Sequence, residues 1–442
     1  MMKITILGAG ALRLLGVVDE ILLRPLVFRS PHLVFMDLDL EKAHVMAALA
    51  QRMPSAGAVL PTTQATSDLN EALEGADFVY CCIRVGGVKA LERDKQIAAE
   101  YGYHGHDDFG PSGLMLTART VPVLLDIAFR MEKLCPQAWL MIFTNPITQL
   151  VDAVARYSKI RSVGLCPGVY NFAWDMDHLF GIGAPCKDLL FRGGGLNHLS
   201  WVTADSTYKG ENLMGFIRRQ FDDLPHRPGV AKCGWTRCAP LVDLFGAMFL
   251  NNGHQHHFFY HDELAREMKE YFQKTIAEDL RSTVQDSHST QASVMVRQKE
   301  IRRFWQQELF RNYAVRPFGE IGVDFMQAVT NNSGTQLMVT SPNYGHILGL
   351  SEGVPVEATT RIWNNRLEGM GLDPVPASLK GLCNAVAEHQ RLSVDAVAVH
   401  TRKNGLFQAL LAEPTIRSYE RAKPMFDMLW DAAIESKEIP HP

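Results

Sequence analysis

Apolar residues in the first half of the chain come as short unbroken runs divided by stretches of helical spacing. Lys3–Leu7 reads as a buried strand and passes through a glycine turn into a helical pattern from Leu12. His32–Met36 is a second run, ending on Asp37, and Glu41–Met53 has helical spacing. Ala58–Pro61 is a weak strand, Leu69–Ala76 a short helix and Asp77–Ile83 a buried-type strand. A polar loop over Arg84–Ser112 follows, then a long amphipathic helix over Leu114–Leu134. Trp139–Thr144 is the next strand, Ile147–Tyr157 a helix and Ser162–Cys166 a strand. Strands alternating with helices in this way predict a doubly wound parallel sheet. From about Phe191 the alternation is lost. Gly193–Trp201 reads as a strand entering a mixed region, and long helices are predicted over His261–Arg281, Ser293–Tyr313 and Leu379–Leu411. The expected architecture is α/β, with a doubly wound N-terminal domain over 1–192 and a mixed, helix-rich α+β domain over 193–442.

Composition narrows the class. The chain has 442 residues, enough for two lobes, and its 47% hydrophobic and 21% charged content is that of an ordinary globular protein. A net charge of -4 leaves no basic footprint for nucleic acid. No apolar run reaches the ~18–20 residues of a membrane span, and the N-terminus enters a strand rather than a secretory signal. Eight scattered cysteines without CxxC pairs suggest reduced thiols, so the expected compartment is the cytoplasm.

The candidate chemistry begins at the first turn. Gly8, Gly10, Ala11 and Leu12 form it, Arg13 stands where a third glycine is usual, and Asp37 ends the second strand. That order suits NAD lying over the carboxyl ends of parallel strands. The glycines admit backbone to the pyrophosphate, the helix N-terminus faces its charge, and the acid takes the ribose hydroxyls. The N-terminal domain is accordingly expected to be Rossmann-type, like lactate and malate dehydrogenases. Arg84, Asn145 and Cys166 also fall just past strand ends, the edge where ligands bind. Arg84 beside Gly86-Gly87 offers a planar fork to anionic or polyol groups, with Arg93 a second candidate; either is equally a solvated arginine.

These landmarks, with those that follow, resemble glycoside hydrolase family 4, the glycosidases that use NAD and a divalent metal, usually manganese. The resemblance runs nearly end to end: GAG after strand one, MDLD after strand two, RVGG at Arg84–Gly87, and YGYHGHDDFGPSG at Tyr101–Gly113. FTNP at Phe143–Pro146, GLCPG around Cys166, GLNHLSW at Gly195–Trp201, SPNYGHI and VPVEA complete it. It implies that Cys166 and His198 hold the metal together with substrate hydroxyls, with Asn197 as a substrate contact. It implies that Asn145 holds the nicotinamide ribose or a sugar hydroxyl; an Asn-Pro turn is the plainer alternative. Asp107 and Asp108 stand where the family has a carboxylate able to protonate a leaving group or bind hydroxyls, with His104 and His106 flanking them. The family's proton-abstracting tyrosine is missing from its place, leaving Tyr260, His254, His256 and His257 as candidate bases. The resemblance implies that Arg316 and Glu320 lie near the distal end of the sugar, with a solvated helix face the plainer alternative, and Asn343 and Gly345 read as site wall or as a turn. Pro167-Gly168-Val169-Tyr170 replaces the family's usual Asn or His after the cysteine.

The implied activity is an NAD-dependent glycosidase acting by C3 oxidation, C2 deprotonation, elimination, water addition and re-reduction. The expected substrate is a small-molecule glycoside with a phosphate, carboxylate or sulfonate at C6, and the expected assembly a homodimer or homotetramer. A sugar or 2-hydroxy-acid dehydrogenase on the same fold, and a nucleotide-binding sensor without turnover, remain open.

Overall fold

The computed structural model describes the chain apart from residues 12–13, 54–60, 183–188, 191, 221–234, 251–253, 284–320, 400–401 and 440–442. Six parallel strands, β1 (Met2–Leu7), β2 (Pro31–Met36), β3 (Thr62–Thr66), β4 (Phe78–Cys81), β5 (Trp139–Ile142) and β6 (Arg161–Gly164), lie in the order 3-2-1-4-5-6. Strand order reverses beside β1, which opens a crevice at the carboxyl edge. Short strands β7 (Leu189–Leu190), β10 (Thr207–Tyr208) and β11 (Glu211–Asn212) form a separate small sheet. β8 (Gly193–Leu196), β9 (Leu199–Val202), β12 (Gln336–Pro342), β13 (Pro355–Trp363) and β14 (Arg366–Glu368) instead extend the main sheet antiparallel beyond β6. Both halves of the chain therefore share one sheet.

Apolar faces on both sides bury that sheet. The helices Leu14–Leu22, Leu40–Arg52 and Ile321–Asn331 pack on one face through Val18, Met46 and Phe325. On the other, Gly110–Leu134 and Ile147–Tyr157 meet Lys380–Asp395, Lys403–Ala412 and Tyr419–Glu435 through Leu124, Leu150, Val394, Leu406 and Phe426. Gly110–Leu134, at 25 residues, is the one described helix long and apolar enough to cross a membrane, contrary to the expectation that no segment is; 78% of its apolar window is buried, as befits the central helix of a core.

Several elements differ from expectation. The loop over Arg84–Ser112 contains a helix, Gly87–Glu100, whose buried stripe is Ala90, Leu91, Asp94, Ile97 and Ala98. An aspartate in the apolar stripe hides the period. The third strand is Thr62–Thr66, a polar edge strand with no apolar run to announce it, and Ala58–Leu60 lie outside the described residues. Gly193–Trp201 is a hairpin rather than one strand. Leu379–Leu411 divides into Lys380–Asp395 and Lys403–Ala412, and Ser293–Tyr313 falls outside the described residues.

Asp94 is tolerated in the core because Arg119, fully enclosed, donates to it at 2.6 Å and also reaches Glu438 at 3.3 Å. Arg93 completes the cluster with a bidentate pair to Glu438 at 2.9 and 2.8 Å. Arg93 is thus committed to the far end of the chain, and its expected role as a substrate clamp is corrected. Replacing Arg119 by Met takes from the buried Asp94 its 2.6 Å partner and leaves it Arg93 at 3.0 Å; urea unfolding of the full chain should show a loss of about 3 kcal/mol.

Candidate active site

The turn after β1 presses against its neighbours. Gly8 has φ +80° and would bring a Cβ within 2.3 Å of the Cys82 carbonyl oxygen, so only glycine fits. Its N–H and that of Ala9 donate to the Met36 carbonyl, tying the turn to the end of β2. There the half-exposed Asp37 accepts from Gly10 N at 2.8 Å and from Asp39 N at 3.0 Å. The carboxylate is anchored yet keeps lone pairs for further donors, which fits the ribose end of a dinucleotide. Ala11 is half-buried at the same turn, while Leu12 lies outside the described residues. Asn145 sits half-buried after β5, before a cis peptide to Pro146.

Cys166, just past β6, meets His198 from the other half of the chain. Its Sγ lies 3.5 Å from His198 Nε2, both residues buried. His198 occupies the two-residue turn of the β8–β9 hairpin with φ +66°. At Gly195 a Cβ would come within 2.3 Å of the Leu199 carbonyl oxygen. Glu357 of β13 fixes the turn from below: Asn197 Nδ2 donates to it at 2.9 Å and Ser200 Oγ at 3.1 Å. Asn197 thereby serves the hairpin, an outcome the sequence did not suggest. Burial raises the Glu357 carboxyl, partly countered by His198 and by these donors.

Asp108 grips the other nitrogen of His198, Oδ2 to Nδ1 at 2.5 Å. Burial alone would lower His198, but Asp108 and Cys166 outweigh it and hold the imidazole well above its usual range. A carboxylate on Nδ1, with Nε2 turned to a cysteine, is how a metal-binding histidine is oriented. The other oxygen of Asp108 is buried and has no hydrogen-bond partner. An orphaned acceptor, a thiol and an oriented imidazole together fit a divalent ion with positions left open for substrate oxygens.

His106 and His254 crowd the same place, and ring nitrogens of His106, His198 and His254 all lie within 4.8 Å of one another. The hydrogen bonds argue against a three-histidine site. The Asp108 backbone N–H donates to His106 Nδ1 at 3.1 Å, so a neutral His106 carries its proton on Nε2 and gives it to His254 Nδ1, 2.7 Å away. Burial and the neighbouring imidazoles keep both well below the usual range. His254 stacks on His198, ring centres 3.9 Å apart, with its own proton on Nε2.

The remaining candidates disperse. Asp107 is bound by Lys95 at 2.9 Å and by the exposed Arg84 at 3.4 Å, so Arg84 stands at the mouth with Lys95, which the sequence reading did not single out. His257 is engaged through both nitrogens, with His104 at 3.0 Å and Glu413 at 3.2 Å. Tyr260 gives its hydroxyl to the Arg237 carbonyl at 3.1 Å, and His256 packs its ring on Tyr260. His254, His257 and Tyr260, expected as candidate bases, are thus each hydrogen-bonded to protein neighbours in this structure. Arg316 and Glu320 lie outside the described residues, and Asn343 ties its own loop through Ile347 and Leu350.

Three comparisons bear on this geometry. Residues 3–182 match the model for family 4 glycosyl hydrolases, and residues 194–416 match that for the family's C-terminal domain. The chain is 24% identical to a probable 6-phospho-beta-glucosidase of Bacillus subtilis (strain 168), over 98% of this chain and 96% of that protein. It is 30% identical to an alpha-glucosidase of Erwinia rhapontici, over 81% of this chain and 82% of that one. Its fold matches the 6-phospho-beta glucosidase of Thermotoga maritima solved with manganese, NAD+ and glucose-6-phosphate, with a TM-score of 0.78, 20% identity and coverage of 98% and 99%.

Burial dictates how the site responds to acid. His256 and His261 are held down to about 4, chiefly by desolvation, against about 6.5 in the unfolded chain. Below pH 6.5 the unfolded state takes up protons that the native state refuses, so stability is full above that pH and falls as pH drops. Each such histidine contributes about 1.4 kcal/mol per pH unit. His198, raised instead, opposes this slope between pH 7.5 and 6.5 and adds little below it, and Asp152, raised to about 6, offsets a part below pH 6. The melting temperature of metal-free protein should fall from pH 7.5 to 5.5; a flat or rising profile would contradict the buried neutral cluster.

Proposed function

The chain belongs to glycosyl hydrolase family 4, matched over both of that family's domains, and on that footing we propose that the pocket at the sheet's carboxyl edge cleaves a glycoside with an anionic group at C6. As a member of that family it is an NAD-dependent glycoside hydrolase that uses a divalent metal. The observation that carries the reading of the site is the Cys166–His198–Asp108 constellation beside the dinucleotide crevice. Cys166 and His198 hold the metal, and the turn of Gly8, Gly10 and Ala11 with Asp37 holds the cofactor. Bound there, the dinucleotide would supply reversible hydride acceptance for the sugar's C3, and the ion would supply Lewis acidity.

The protein's own groups place the sugar and handle its protons and charge. Asp108 keeps His198 aimed, and Asn145 meets a hydroxyl or the ribose. Asp107, between Lys95 and Arg84, lies at the mouth, and those two cations suit a phosphate, carboxylate or sulfonate. The name of the Bacillus subtilis relative, a 6-phospho-beta-glucosidase, supports phosphate among these. The cofactor's contacts fall to residues 1–192, whereas the metal pair straddles the proposed boundary with 193–442. A homodimer or homotetramer is the assembly we propose, as the family resemblance implies.

Turnover in D2O tests the route. Elimination requires loss of the C2 proton, so the released sugar should carry deuterium at C2. Direct displacement at C1 leaves that position untouched; a product without deuterium at C2, together with no primary isotope effect on kcat/KM for a C2-deuterated substrate, would refute the reading.

Cys166→Ser should abolish turnover and weaken divalent-ion binding by calorimetry, while NAD affinity by fluorescence titration stays near wild type. Substantial activity of this variant without added metal would remove Cys166 from the site.

A further inference from the structure

A second histidine chain lies one ring behind the metal pair. Glu413, at the end of the helix Lys403–Ala412, is buried. Its Oε2 accepts the Thr415 backbone N–H at 2.8 Å and the Thr415 hydroxyl, while Oε1 faces His257 Nε2 at 3.2 Å. Nδ1 of the fully buried His257 lies 3.0 Å from Nδ1 of His104. His104 belongs to the loop of His106, Asp107 and Asp108; it is half-buried, and its Nε2 makes no hydrogen bond among the described residues.

Donor and acceptor roles propagate along this chain. A carboxylate only accepts, so His257 carries a proton on Nε2. Two donors from Thr415 and one from His257 fill the carboxylate, and a neutral imidazole carries only that one proton. Nδ1 of His257 is then an acceptor, and the 3.0 Å contact is made by the Nδ1–H of His104. Burial keeps His104 neutral, down to about 2, so it has one ring proton and a lone pair left on Nε2. The chain through His106 runs in the opposite sense: it starts from the Asp108 backbone N–H and ends in a donor, Nε2–H of His254.

We propose that Glu413 is a positioning residue of this site: acting through His257, it fixes the tautomer of His104 so that Nε2 accepts a hydrogen bond from a hydroxyl of the bound sugar. The sugar-binding half rests on the reading of the pocket as a glycoside site. Thr415 would claim the oxygen of a glutamine at 413, turning its NH2 toward His257. His257 would then accept at Nε2 and donate from Nδ1, and His104 would invert to carry its proton on Nε2.

Long-range proton–nitrogen spectra of the full-length enzyme labelled with 15N-histidine distinguish protonated from bare ring nitrogens. His104→Gln identifies the resonance. Nε2 of His104 should be bare in the wild type and protonated in Glu413→Gln, where KM for an aryl glycoside should rise about tenfold or more and kcat change far less. A protonated Nε2 in the wild type overturns the proposal, as does an unchanged KM in a variant whose tautomers have inverted. Should Glu413→Gln not fold, the wild-type spectrum and the KM of His104→Ala decide in the same way. Expected tautomers in an enzyme that turns over no glycoside would refute the reading of the pocket, and the sugar contact with it, while upholding the role of Glu413 in setting the tautomer.

Discussion

The contact between Asp108 and His198 is the constraint on which the site depends. It joins a loop that precedes the central helix to a hairpin added at the antiparallel end of the sheet, and it does so beside the cysteine just past β6. An imidazole can present Nε2 to a metal only if Nδ1 is held, and a buried carboxylate holds it more firmly than water can. The hairpin in turn needs Glu357, because a histidine in left-handed backbone has little of its own to keep the turn closed. Remove any one of these and the others lose their reason for being buried.

Around that contact the histidines divide into members with different tasks. His198 is pulled toward the charged form by Asp108 and Cys166, whereas His104, His106 and His254 are kept neutral by burial and by one another. A dense group of imidazoles can thus be packed at one place without mutual repulsion, provided that one carries the response to the ion. Neutral rings also have a direction, with one nitrogen giving and the other taking. Glu413 and the Asp108 backbone N–H supply that direction from opposite ends.

Local patterns made the parallel half of the fold legible. Buried strands are written as apolar runs, and β1, β2, β4, β5 and β6 all lie where those runs predict them, as do Gly8, Asp37 and Cys166 past their ends. What escaped is whatever depends on distant partners. The helix Gly87–Glu100 hides behind Asp94, whose burial makes sense only with Arg119 present. β3 is polar because it sits at the sheet edge. Cys166 and His198 were paired through a family resemblance, not by spacing, since 32 residues separate them. Glu357 lay within the VPVEA landmark without any sign of its hairpin partners, Glu413 carried no local signal, and the histidine-rich segment gave residue types without saying which nitrogens were already engaged.

Glu438 has a consequence for the order of events during synthesis. It stands 345 residues downstream of Arg93, yet it closes the ion cluster that steadies the helix following Arg84. A growing chain that has finished its parallel strands still holds Arg93, Arg119 and Asp94 as an excess of positive charge, two arginines against one acid. That imbalance favours leaving this corner hydrated and loosely packed until the last helix arrives. The crevice at the strand ends can therefore take shape early, while the wall beside it hardens only after translation has passed Glu438, 345 residues beyond Arg93.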